Sequence, residues 1–465
     1  MRDLGRKVVA AWVAQGPRFL PFADVATPDL GLLRLLRLSL FQVSAGLSLV
    51  LLVGTLNRVM IVELNVPASL VAMMVALPVL FAPLRALVGF RSDNHRCELG
   101  WRRVPFIWQG TLLQFGGFAI MPFALLVLGG AGHASDAPIW LGRVAAALAF
   151  LLVGSGIHVV QTVGLALATD LTPPASHPRV VGLMYVMFLL GMGGSALTYG
   201  AALETFSPGR LVQVIQTAAL AVLILNSLSL WKQEPRGTGT RGTARAAEPS
   251  FRDALTRLFS AGARTRHLAV VAMGTMAFSM ADIVLEPFGG QIMGLEVATT
   301  TRLSALIAVG GLVGFAYASQ GVRRGRDPFR LAFFGAMLGI PAFLCVLFSA
   351  HAQSPALFLC GNFLIGLGAA LFGHGTLTAT LSLAPPNQSG LALGVWGAVQ
   401  ATGAGIGVGL SGSLRDGVNF LLAITPELSP TGAALPGYLA VYGLELTLLA
   451  ITLFALRPLR QRPSN

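Results

Sequence analysis

Twelve blocks of mostly apolar residues run through this chain, each about twenty or more residues long, at 38–60, 68–90, 104–128, 139–168, 180–203, 209–231, 267–289, 298–321, 329–350, 355–383, 389–413 and 436–457. A helix rises ~1.5 Å per residue, so about 20 residues cross the ~30 Å of hydrocarbon in a bilayer. No soluble fold asks for that pattern so many times. Composition agrees: 54% of the 465 residues are apolar, 11% are charged, and the mean hydropathy is +0.73. Soluble chains carry roughly 25% charged residues. The expectation is an all-α integral membrane protein of twelve spanning helices, with no sizeable soluble domain.

The net charge of +13 raises nucleic acid as a partner, and its distribution removes it. Lys and Arg sit in short segments between the blocks, with no basic face interleaved with aromatics. Residues 1–37, 91–103, 169–179, 232–266, 322–330 and the tail from Arg457 hold 26 of the 32 basic residues. The intervening segments hold Arg58, Arg143, Arg210, Arg302 and Arg415, and Arg85 falls within a span. This is the positive-inside asymmetry, and it places both termini in the cytoplasm. At the N-terminus, Leu4, Val8, Ala11 and Trp12 share a helical face, which fits a helix lying on membrane lipids better than a signal peptide. Cys97, Cys345 and Cys360 form no CxxC pair, so neither a disulfide framework nor a thiolate metal cluster is expected.

The chain divides into a cytoplasmic segment 1–37, a six-helix half 38–231, a basic linker 232–266, a second six-helix half 267–457 and a tail 458–465. The linker centre, "RGTGTRGTARAAEPS", cannot build a core. Layout repeats between the halves. Each has a basic loop after its second helix, "GFRSDNHRCELGWRR" and "GVRRGRDPFR", and a glycine-rich fifth helix with "GMGG" or "GAGIGVG". Two such repeats joined by a long linker is the layout of the major facilitator superfamily. The first basic loop is similar to that superfamily's signature, with Gly89, Asp93, Arg96, Arg102 and Arg103 in corresponding places, but it is longer.

Charged side chains inside spans mark function. Arg58 stands near the outer end of helix 1, and Asp282 and Glu286, four residues apart on one face, near the outer end of helix 7. Arg58 is expected to face one of these acids across a central cleft, as a structural ion pair or as an outer gate or proton-coupling site. Arg85 and Asp170 form a similar candidate pair, and Glu445 in helix 12 has no evident partner. His158 in helix 4 and His374 in helix 10 occupy repeat-equivalent helices. A neutral imidazole there either hydrogen-bonds a neighbouring helix or ligates a metal, including the magnesium of a tetrapyrrole. Gly193 and Gly194 in helix 5, with Gly403, Gly405 and Gly407 in helix 11, serve either helix packing or a flat ligand. No strand precedes the glycine run and no Lys follows it, so it is not a nucleotide loop, and no catalytic motif sits in an accessible loop. Neither a nucleotide nor enzymatic activity is expected.

"GTLNRVMIVEL", "APLRALVGFRSDNH", "GWRRVPFIWQGTLLQFGG", "DIVLEPFGG" and "LALGVWGAVQATGAG" resemble the PucC/LhaA family of purple photosynthetic bacteria, the bacteriochlorophyll-delivery branch of the major facilitator superfamily. The resemblance runs from about residue 32 to 459 and weakens in the linker. It implies a membrane factor for light-harvesting complex assembly in the bacterial inner membrane. Bacteriochlorophyll would be the cargo and antenna polypeptides the partners, beside pigment-synthesis enzymes and the insertion machinery. A proton-coupled solute transporter and a pigment-free scaffold remain the alternatives. In the pigment reading His158 is the candidate axial ligand to magnesium, with His374 a second.

Overall fold

The computed structural model describes residues 31–80, 88, 91–92, 101–130, 137–173, 176–234, 262–383, 389–423 and 430–460. The surface helix expected near the N-terminus, Arg85, Cys97, the loop residues Gly89, Asp93 and Arg96, and residues 235–261 of the linker lie outside these.

The described residues are almost wholly helical: α1 (Leu32–Glu63), α2 (Ala68–Leu80), α3 (Val104–Leu128), α4 (Ile139–Asp170), α5 (His177–Ala202), α6 (Pro208–Leu230), α7 (Gly262–Gln291), α8 (Val297–Arg323), α9 (Pro328–Ala352), α10 (Pro355–Leu383), α11 (Ser389–Ala423) and α12 (Pro430–Arg460). Ten of them are long and apolar enough to cross a bilayer. Of the other two, α2 is short within the described residues, and α11 continues past its expected end through Arg415 and Asp416.

Sequence punctuation explains most boundaries. Prolines open α6, α9 and α10, where a missing N–H costs nothing. Ser207 and Asp327 cap α6 and α9 by accepting backbone N–H bonds. α1 starts earlier than its apolar block because its two early arginines are tied down. Arg34 donates to the Gln233 side chain (3.1 Å) and backbone (2.8 Å), and Arg37 to the Trp231 carbonyl (2.8 Å). Toward its other end α1 is wound as π-helix over Val50–Leu56 and Val59–Glu63, a local winding that recurs at functional sites.

Packing reveals the repeat. α1 lies against α5 and α6 as α7 lies against α11 and α12, and α3 against α4 and α6 as α9 against α10 and α12. The halves meet through α2 with α11 and α5 with α8, pairs that exchange under the same two-fold operation. Inside the N-terminal half, polar side chains satisfy one another: Ser44 donates to Asn226 (2.6 Å), Asn226 to Thr111 (2.9 Å) and Ser48 to Gln114 (3.1 Å). The C-terminal half is aromatic instead, with Phe288, Phe343, Phe358, Tyr438 and Tyr442 fully buried. Outside, Phe420 and Phe454 are each 71% exposed, which suits a lipid surround.

Candidate functional site

The end of the bundle remote from the basic segments, called the outer end below, is where the halves are tied. Arg58 is 3% exposed and reaches over α7, with its Nη2 donating to the Leu295 carbonyl at 2.9 Å. Gly290 makes this possible: a Cβ there would lie 2.9 Å from Nη2. The ion pair of Arg58 is with Glu63 on its own helix; Glu286 lies within electrostatic reach of Arg58 across the cleft but forms no ion pair with it, and neither does Asp282. That corrects the expected pairing. An i,i+5 partner is brought onto the same face by the π-winding, which an ordinary helical period does not do.

Glu286 turns elsewhere. Its Oε1 accepts the Ser304 hydroxyl at 2.8 Å, and it fills the notch left by Gly54, where a Cβ would stand 2.5 Å from Oε1. Asn57 donates to the carbonyls of Asp282 (3.2 Å) and Ile283 (3.0 Å). Ser69 N donates to Asp416 at 2.7 Å, and Arg302 pairs with Glu204 at 3.5 Å, so α2–α11 and α5–α8 are also bridged near this end. Sequence reading missed Asn57. A buried amide beside Arg58 in an otherwise apolar run was the available signal.

The two histidines occupy corresponding places on α4 and α10, in unlike surroundings. His158 is half-buried, and the small residues before it are spent on packing: Gly154 meets the Pro78 ring and Gly156 the Gly110 carbonyl. His374 is half-buried, with its ring edge-on to Phe315 at 4.8 Å. Among the described residues no hydrogen bond to its ring is found, and its Nδ1 is buried without a partner. Beside it, a Cβ on Gly373 would meet nothing within 4 Å among the described residues.

The glycine-rich faces divide. A Cβ on Gly403 would lie 2.6 Å from the Ala272 carbonyl and one on Gly407 2.6 Å from the Met276 carbonyl, so α7 occupies that face. Gly405 is buried as well. The flat-ligand reading fails at Gly403 and Gly407, because close helix approach consumes the space. Gly191 plays the same part in the other half, against Val43 of α1. Among the described residues, a Cβ on Gly193 would meet only Ala308, at 3.6 Å, and one on the exposed Gly194 would meet nothing within 4 Å.

At the basic end, Arg102 and Arg103 both reach Asp170, at 2.5 and 3.0 Å, and Arg103 also donates to Ser92. Asp170 therefore pairs with these two arginines. Glu234, which sequence reading passed over, accepts the backbone N–H groups of Arg102, Arg103 and Val104 at 2.9–3.0 Å, capping α3 with a carboxylate. No group of three or more metal-ligating side chains is found among the described residues.

The family model described as PUCC protein matches residues 55–463. The chain belongs to the PucC family. It is 57% identical over 422 residues to Protein PucC of Rhodovulum sulfidophilum, covering 90% of this chain and 92% of that one. Protein PucC of Rhodobacter capsulatus is 53% identical over 449 residues, covering 96% of each. A more distant relative, at 28% over 396 residues (83% of this chain, 87% of the other), is the bacteriochlorophyll synthase 44.5 kDa chain of Rhodobacter capsulatus. Among solved structures, the inward-facing, unoccupied bacterial homologue of the human lysosomal transporter Spinster superposes with a TM-score of 0.66, at 15% identity over 93% of this chain and 98% of that one. The fold of this PucC-family protein is thus the major-facilitator-like bundle of two pseudo-symmetric halves.

Proposed function

We propose that the protein is an assembly factor for bacterial light-harvesting complexes, which binds bacteriochlorophyll within the membrane and passes it to antenna polypeptides. The observation that carries this reading is the PucC-family match over residues 55–463, with PucC relatives similar across nearly the whole chain. The work is binding and transfer, not catalysis. The charge asymmetry of the basic segments supports an orientation with both termini on the cytoplasmic side of the inner membrane, where pigment-synthesis enzymes and the insertion machinery would supply pigment and polypeptide.

The chemistry of the spans suits such a cargo. A neutral imidazole offers magnesium a lone pair without adding charge in lipid. His374 suits that role better than His158, since its ring makes no hydrogen bond among the described residues and open space adjoins Gly373. Phe315, edge-on to that ring, supplies an apolar wall.

The test is the absorption spectrum of protein purified from a pigment-making host. A bacteriochlorophyll band should co-purify, and His374→Leu should lose or shift it while protein abundance stays normal. His158→Leu serves as the comparison: if it alone removes the pigment, the assignment between the histidines is reversed. A pigment-free protein that still supports antenna assembly would establish the scaffold instead.

A further inference from the structure

Midway along α12 the chain buries an acid. Glu445 is 0% exposed, and among the described residues neither of its carboxyl oxygens has a hydrogen-bond partner. One turn earlier, Tyr442 is equally buried and its hydroxyl also has no hydrogen-bond partner among the described residues. An ionised carboxylate in that setting is far too costly to keep, so the group must be neutralised by a proton or by a cation.

The helices packed on α12 are α7, α9 and α11. From α7, Asp282 interacts electrostatically with Glu445, and Glu286 follows one turn on, held by Ser304. α9 has no charged residue between Arg330 and His351. α11 brings Arg415 and Asp416, but that guanidinium is committed to Gln291 (2.6 Å), to Asp416 (2.9 Å) and to the Tyr438 ring. On its own helix, Tyr438 donates to Gln291 (2.8 Å). Among the described residues, then, no basic side chain pairs with Glu445.

Asp282 differs from Glu445 in one respect: its side chain is exposed. Its backbone carbonyl is also one of the two that Asn57 grips from the π-wound part of α1. One acid has exposed surface within the densely surrounded middle of the bundle and the other has none, and the exposed one lies where the halves touch.

We propose that Asp282, Glu445 and the Tyr442 hydroxyl form a proton-binding site, in which Asp282 takes a proton from the aqueous phase and Glu445 stores it. In the transfer an O–H bond of the Asp282 carboxyl breaks and one forms on a Glu445 oxygen, so the charge of the pair is conserved. Parting α1 from α7 releases Asn57 from the Asp282 and Ile283 carbonyls and moves the accessible acid, which links loading of the site to opening of the outer end. The site stands independently of the pigment reading.

The test uses the full-length protein in lipid nanodiscs and the infrared carbonyl stretch of protonated carboxyls. At neutral pH the wild type should show such a band, and Glu445→Gln should lose a component of it. Glu445→Asp, which keeps the acid, should shift that component without abolishing it. Asp282→Asn should retain the component but slow its exchange in D2O, and Glu63→Gln should change neither. Folding of each variant is checked by monodisperse elution and helical circular dichroism. A folded Glu445→Gln protein with an unchanged band overturns the proposal, as does an Asp282→Asn protein that exchanges at the wild-type rate. A wild-type protein without the band, whose thermal stability rises with sodium, overturns it in favour of a metal cation.

Discussion

Replacing Arg58 with Met tests the geometry at the outer end. The substitution keeps much of the aliphatic stem and removes the bond to the Leu295 carbonyl and the pair with Glu63. A hydrogen bond from a charged group contributes about 1.5–3 kcal/mol. The Glu63 side chain is 35% exposed, so solvent screens the ion pair and its share is below about 1 kcal/mol. The expected loss is therefore ~2–3 kcal/mol, read as the shift of an SDS-induced unfolding curve in mixed micelles. A double-mutant cycle then apportions it. Arg58→Met with Glu63→Gln should show a coupling of roughly 0.5–1 kcal/mol, and the same cycle with Glu286→Gln distinctly less. A larger coupling to Glu286 than to Glu63 would refute the reasoning. Exchanging the charges of Arg58 and Glu286 should not rescue either single variant, because Glu286 would leave the Gly54 notch and Ser304 for a site built around Glu63.

Gly403→Val drives a side chain into the α7 backbone at Ala272 and should lower stability by about 1–3 kcal/mol, whereas Gly194→Val should be silent in the same unfolding assay. Glu234→Ala frees three amides at the start of α3 and should cost ~1–2 kcal/mol, seen as faster hydrogen exchange at residues 102–104. Reporters fused after Lys232 or at the C-terminus should read as cytoplasmic, and one inserted between Gly132 and Pro138 as periplasmic. A periplasmic reading after Lys232 would overturn the orientation.

Block length and charge asymmetry made the helices legible, because a bilayer imposes both on the sequence locally. Val104–Leu128 and Pro355–Leu383 coincide with the blocks that predict them. The partnership of Arg58 was not legible, since it depends on π-winding that no apolar period encodes. Nor was the fate of Gly403 and Gly407, because packing and ligand binding ask for the same small residue, and only the position of Ala272 and Met276 decides between them. His158 and His374 look alike in sequence, and they part company through neighbours such as Pro78 and Phe315 that are distant along the chain.

The two halves are alike in packing and unlike in charge, and the difference has a physical consequence. Glycines bring α1 to α5 and α7 to α11 in the same way, so backbone placement follows the two-fold. The N-terminal interior is then filled by neutral groups that bond to one another: Ser44 with Asn226, Ser48 with Gln114, and Gln161 with Gln42. Such a network has fixed partners and no charge to gain or lose, so it stiffens the half that holds it. The C-terminal half carries Asp282, Glu286 and Glu445 within its spans, and the last of these has no hydrogen-bond partner among the described residues. The buried acids among the described spans thus stand on α7 and α12, while α1 meets α7 with a π-wound segment holding Gly54, Asn57 and Arg58. That contact is where the proposed change of protonation on α7 would reach the other half, since Asn57 and Gly54 touch the same turns of α7 that carry Asp282 and Glu286.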